Sequence, residues 1–211
     1  MKIAIVVYLL LAIVSSGFAQ TGNKKIVLKV NLGGGPVNDF IGEEQLMDME
    51  AFAKNVARVP IANTDQQQVF QSQRFSREGD FTMRVPVPDG IYSVTLLFSE
   101  TYQKACAPGG RVFDVSLGTP VSGVSRVIEN FDVFQAAGCA SAYGQKFDKV
   151  PSKEGIVVHL TRKAQHPALC GFIVEGFPAP KGDGSEYKAI DRSTPDQNAG
   201  GMNGDAAPLM S

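Results

Sequence analysis

Hydrolysis of a polymer needs a pair of carboxylates, acyl transfer needs a nucleophile beside its base, and metal chemistry needs clustered ligands. This chain of 211 residues carries two histidines, His159 and His166, and three cysteines, Cys106, Cys139 and Cys170. No His-x-x-x-His, no paired-cysteine metal spacing and no Gly-x-Ser-x-Gly occurs. His159 alternates with Val157 and Thr161, opposite Val158 and Leu160, which places it on the exposed face of a strand. The run Gly33 to Gly35 is followed by Pro36 and not by Lys-Ser/Thr opening a helix, so it is a turn and no phosphate loop. The expectation is a noncatalytic protein with no cofactor and no metal.

The first residues address the chain to an oxidising compartment. Met1 and Lys2 precede an apolar run from Ile3 to Val14, and the small residues Gly17 and Ala19 lie three and one residues before Gln20. This is the pattern of a signal peptide over residues 1–19, with an apolar core too short to span a bilayer. The expected location is secreted or in the secretory-pathway lumen, with no membrane insertion of the mature chain. Formal net charge is −1 with no block of like charge, which argues against nucleic acid as a partner. Three cysteines in such a compartment allow one disulfide and leave one thiol over; all three free, or one paired between chains, are the alternatives.

Short alternating segments punctuated by Gly and Pro predict an all-β fold. Strands are expected over Ile26–Leu32, Phe81–Pro86, Ile91–Ser99, Arg111–Leu117, Val127–Phe134, Ile156–Thr161 and Leu169–Glu175. In the third, Tyr92, Val94, Leu96 and Phe98 share one face, the period of a half-buried strand. A helical turn or two is expected within Gln45–Lys54. No helix is long enough for a parallel crossover, so the pairing is antiparallel, in a two-sheet β-sandwich of jelly-roll type. The folded domain is expected over residues 24–178. Residues 179–211, rich in Gly, Ala, Pro and charge, read as a disordered C-terminal tail.

Seven segments in order resemble the successive signatures of the malectin family. They are Val30–Gly34 (VNLGG), Val69–Phe75 (VFQSQRF), Val85–Tyr92 (VPVPDGIY), Thr95–Tyr102 (TLLFSETY), Arg111–Val115 (RVFDV), Phe131–Gly138 (FDVFQAAG) and His166–Val174 (HPALCGFIV). The resemblance implies a carbohydrate-binding β-sandwich that grips a glucose-containing oligosaccharide with loops at one end, stacking aromatic rings on sugar C–H faces. It gives Asp114 and Asp132 structural roles. Carried over residue by residue, it makes Tyr102, Gln103, Phe70, Phe75, Gln165 and His166 the ligand-binding candidates. Gln103 stands where the family has an aromatic, Phe70 and Phe75 where it has Tyr, and Gln165-His166 where it has Asp-Asn. With Trp absent from the whole chain, the ligand is expected to differ from the family's diglucosyl unit. The partner is accordingly a glycan or glycoprotein; the alternative is a protein partner, bound through the same strand-end loops without sugar.

In a sandwich of that family the loops carrying Cys106 and Cys139 emerge at one end, which implies the disulfide Cys106–Cys139. Cys170 shares the alternation of Phe172 and Val174 in the closing strand, where a cysteine behaves as a small buried hydrophobe.

Overall fold

The computed structural model describes residues 25–179 apart from 48, 50 and 51. The expected signal peptide, and all but the first residue of the expected tail, lie outside the described residues. Among the described residues twelve strands form in order: β1 (Ile26–Asn31), β2 (Ile41–Gly42), β3 (Ala53–Val56), β4 (Ser72–Phe75), β5 (Phe81–Val85), β6 (Gly90–Phe98), β7 (Val112–Thr119), β8 (Gly123–Asp132), β9 (Tyr143–Ser152), β10 (Ile156–Ala164), β11 (Ala168–Leu169) and β12 (Gly171–Pro178). Two short helices, α1 (Gln67–Gln71) and α2 (Val133–Ala137), join them. Among the described residues no helix is long and apolar enough to cross a membrane.

The strands make three sheets, ordered β2-β1-β12-β6-β9, β5-β10-β7-β8 and β11-β4-β3. Every pairing is antiparallel except β1 with β2. The all-β expectation holds, and a third, smaller sheet joins the two of the sandwich. The main core lies between the five- and four-stranded sheets. Tyr92, Val94, Leu96 and Phe98 of β6 meet Phe81 and Met83 of β5, Phe113 and Val115 of β7, and Val158 and Leu160 of β10. A fully buried aliphatic or aromatic side chain stabilises by roughly 1.5–3 kcal/mol. Tyr92 joins that core at little polar cost because its hydroxyl donates to the Pro88 carbonyl at 3.0 Å.

The other face of β6 has a different neighbour. Leu97 points away from the main core into a second cluster with Phe40, Ile61, Val69, Phe70 and Cys170. Phe40, Ile61, Val69 and Phe70, from the excursion between β1 and β4, thus cover Leu97 on the outer face of the five-stranded sheet, while Leu46, Met47, Met49 and Phe52 of the same excursion belong to the main core or pack against it. Gly33 is essential to that excursion: its φ is 77°, and a Cβ there would lie 2.4 Å from the Gln73 carbonyl oxygen.

Two local expectations are corrected. Among the described residues of Gln45–Lys54 only Gln45 is helical, as the last residue of a 3-10 turn over Glu43–Gln45, and Ala53 and Lys54 already belong to β3. Glu43 is taken up there by an ion pair with Arg74 and by the Gly33 N–H, which its carboxylate accepts at 2.7 Å. The strand expected to reach Phe134 ends at Asp132, whose side chain accepts the Gln135 N–H at 3.1 Å and so caps α2.

Candidate functional site: a loop ledge at the end of β6

Beyond Phe98 the chain leaves the sheet, and a ladder no longer satisfies its backbone. Glu100 replaces it. Wholly buried, its carboxylate accepts Arg111 Nε at 2.6 Å, Arg111 Nη2 at 3.3 Å and the Tyr102 N–H at 2.9 Å. Its carbonyl accepts the Ala140 N–H at 2.7 Å. Arg111 in turn donates from Nη1 to the His166 carbonyl. A buried ion pair repays its desolvation only when its remaining donors and acceptors are also used. Here those extra bonds fasten three loops, around Tyr102, Ala140 and His166, into one ledge.

Two further ties act on the same loops. Asp132, besides capping α2, accepts the Gly109 N–H at 2.6 Å and holds the loop after Tyr102 against the start of that helix. The helix ends at Gly138, and the next residue, Cys139, is joined to Cys106 by a disulfide with Cα atoms 5.2 Å apart. Cys170 is free and buried beneath the second cluster, and burial pushes its thiol up to about 12. The pairing implied by the family resemblance is therefore the one present.

The six candidate residues do not form one group. Tyr102 projects from the ledge with 41% of its surface exposed, and exposed Gln103 beside it donates from Nε2 to the Cys139 sulfur at 3.7 Å. His166 and Gln165 are half-buried, and Gln165 takes a positive φ of 56°. The half-buried Phe75 ring lies 6.0 Å from the His166 ring, and Phe75 pairs with Ala168 in the small sheet. Burial first, then the Arg162 and Arg111 charges, holds the His166 imidazole below its ordinary value and favours the neutral ring. Phe70 lies apart, 8% exposed inside the second cluster, and offers no ring to the ledge. α1 turns Phe70 inward, whereas β4 carries Phe75 toward the loops.

The groups that organise the ledge, Glu100 and Arg111, escape sequence reasoning. One stands at the end of an apolar strand and the other just before the next, and nothing in a single sequence pairs them across eleven positions. Two shallow hollows of about 530 and 340 Å³ open elsewhere, the first along Val56–Pro60 and α1, the second between Gly34–Val37 and Val56. Neither includes a candidate residue.

Among the described residues no three His, Cys, Asp or Glu side chains converge as a metal site would require. Asp114 accepts the Asn130 N–H at 2.9 Å and pairs with Lys163 and Arg126, a structural role. His159 lies on the outer face of the four-stranded sheet, its Nδ1 2.7 Å from the Thr82 hydroxyl. Neither residue faces the ledge loops.

Fold and ledge together define the class: an all-β sandwich that presents fastened loops, the build of a binding module. The malectin domain model matches residues 26–173, and the chain belongs to that family. No curated protein matches it in sequence. Among solved structures it is similar to the β-glucuronidase of Bacteroides uniformis, with 21% identity and a TM-score of 0.56 over 71% of this chain and 18% of that one. It is similar to a chain of the complex of the plant peptide RALF23 with FER and LLG2, with 18% identity and a TM-score of 0.57 over 73% and 40%. The ANXUR1 extracellular domain from Arabidopsis thaliana gives 11% and 0.53 over 71% and 48%. The chain spans less than half of each of these proteins, and at such identities the likeness is one of fold.

Proposed function

We propose that this chain is a noncatalytic recognition module of the extracellular space or secretory lumen that binds a protein partner through the ledge around Tyr102. The observation that carries this reading is the fastening of the ledge around an exposed Tyr102. A buried ion pair, a disulfide and a capped helix hold the three loops together. A fastened surface bearing an exposed tyrosine suits a protein epitope, since Tyr supplies contact area at low entropic cost. One similar structure is a complex of a plant peptide with FER and LLG2, which supports the reading by analogy of fold. The disulfide fits an oxidising compartment.

A glycan is the second reading, favoured by the exposed Tyr102 ring standing beside the amide of Gln103. Gln165, His166 and Phe75 would supply further polar and stacking contacts, and with Phe70 buried the ligand would differ from a diglucosyl unit. One pair of measurements separates the two. The wild-type chain and Tyr102→Ala are screened on a glycan array and used to capture partners from an extracellular fraction. The first reading requires captured proteins that the variant loses and an array without hits. An array hit lost in Tyr102→Ala establishes the second reading. Partners retained equally by both chains remove the ledge from the function.

A further inference from the structure

The small sheet, ordered β11-β4-β3, ends on β3. Register decides which of that strand's peptide groups are used. Ala53 stands opposite Phe75 and Asn55 opposite Gln73, and in the same register the Ala57 N–H donates to the Gln71 carbonyl at 2.7 Å. Bonded pairs recur at every second residue of an antiparallel ladder, so Ala53, Asn55 and Ala57 bond toward β4. Gln71 prolongs this inward pairing, its Nε2 donating to the Val59 carbonyl at 2.8 Å. Lys54, Val56 and Arg58 therefore turn their N–H and C=O groups to the open side. Such an edge is a template for one more strand.

The side chains along the edge select that strand. Lys54, Val56 and Arg58 share one face and are exposed, Val56 to 58%. Among the described residues neither Lys54 nor Arg58 enters an ion pair. The two hollows share Val56 and Gln71, and no Asp or Glu lines either one. An added antiparallel strand sets its own side chains directly opposite those of β3, about 5 Å away. The order cation, apolar, cation is then met by acid, apolar, acid at alternate positions, and the central apolar group enters the hollow beside Val56. A second copy of this edge, paired about Val56, would set Lys54 of one copy against Arg58 of the other. Like charges directly opposite destabilise a ladder.

We propose that the free edge of β3 takes up, by strand addition, an extended segment of a partner protein with acidic residues at alternate positions around an apolar one. Main-chain bonds to Val56 and Arg58 supply the affinity, and the charges of Lys54 and Arg58 choose the sequence. β3 lies on the side of the small sheet away from β11, the strand that follows His166, so this site is separate from the ledge and does not depend on what the ledge takes.

Nuclear magnetic resonance titration of the isotope-labelled full chain tests the proposal, with the end-capped peptide Thr-Glu-Thr-Val-Thr-Glu-Thr added to ~2 mM. Its palindromic order lets it pair in either direction. The amide signals of Lys54, Val56 and Arg58 are expected to shift with this peptide and to stay in place with the counterpart that carries Lys for Glu. N-methylation of the central Val, which removes the N–H offered to the Val56 carbonyl, should weaken binding roughly tenfold, whereas N-methylation of an adjacent Thr, whose N–H points away from β3, should not. Arg58→Glu should lose the first peptide and bind the second, with an unchanged melting temperature. The proposal is overturned by an absence of shifts, by an equal response to both peptides, by undiminished binding of the peptide methylated at Val, or by shifts around Tyr102 in place of those on β3. A Val56 signal that moves with protein concentration alone also overturns it, because a second copy would then be the occupant.

Discussion

The two ends of β6 solve opposite problems. At its C-terminal end, Glu100 is drawn wholly inside with Arg111, and polar bonds hold loops that no ladder can reach. At its N-terminal end, the backbone is fully paired through Ile91 to Phe177 and Pro151, and apolar side chains are left outside. The first end invests buried polarity in geometry; the second leaves Ile91 and Phe177 exposed on a backbone that is already paired. Rigidity without a sheet, as at the ledge, depends on a few irreplaceable groups, whereas a sheet face tolerates substitution because its backbone carries the order.

Removing one member of the buried pair is the strongest way to break that contrast. Arg111→Met strands a buried carboxylate, and a loss of about 3–5 kcal/mol is expected. Arg74→Met, at the less enclosed Glu43–Arg74 pair where the arginine side chain is 14% exposed, should cost about 1–3 kcal/mol. Urea unfolding of both variants measures the difference; equal losses would mean that burial does not set the importance of these pairs.

Next in size is the disulfide. Opening the 33-residue loop between Cys106 and Cys139 by a double Cys→Ala substitution should cost roughly 3–4 kcal/mol in the chain-entropy model. In the parent chain, alkylation of the native protein at pH 8 should leave Cys170 untouched, because burial pushes its thiol up to about 12. Denatured, nonreduced protein should expose one thiol. Rapid labelling of Cys170 in the folded state would show that the second cluster opens.

A smaller effect follows from His166. Its folded imidazole holds a proton less readily than the unfolded one, so below the ordinary value near 6.5 the unfolded chain binds more protons. Stability is therefore expected to be complete above that value and to fall as pH drops from about 7 toward 5. His166→Gln should flatten this part of the profile of melting temperature against pH. An unchanged slope in the variant would assign the dependence to other groups.

The smallest expected effect on stability is that of Tyr102→Ala. The ring projects from the ledge and only its backbone N–H joins the Glu100 network. A shift within about 0.5 kcal/mol is expected, together with a loss of roughly 1–3 kcal/mol of affinity for whichever ligand the ledge takes. A melting temperature lowered by many degrees would make Tyr102 a structural residue.

The sequence by itself determined what repeats over short range. Period-two alternation in Ile91–Ser99 correctly assigns Tyr92, Val94, Leu96 and Phe98 to one buried face, and the ordered signatures place the chain in its family. Cys170 is buried as expected, but in the second cluster with Leu97 and not on the face of Phe172 and Val174, because β12, whose alternation implies that face, begins only at Gly171. Only the tertiary structure decided which distant groups meet. Whether Phe70 or Phe75 reaches the loops depends on where α1 ends and β4 begins, and both residues read alike as isolated rings. Glu100 and Arg111 are ordinary charges until two sheets bring their strands together in an environment too dry for either alone. That Leu97 is buried while Ile91 on the same face of β6 is exposed follows from where Phe40, Ile61, Val69 and Phe70 lie, because alternation names a face without naming what packs on it.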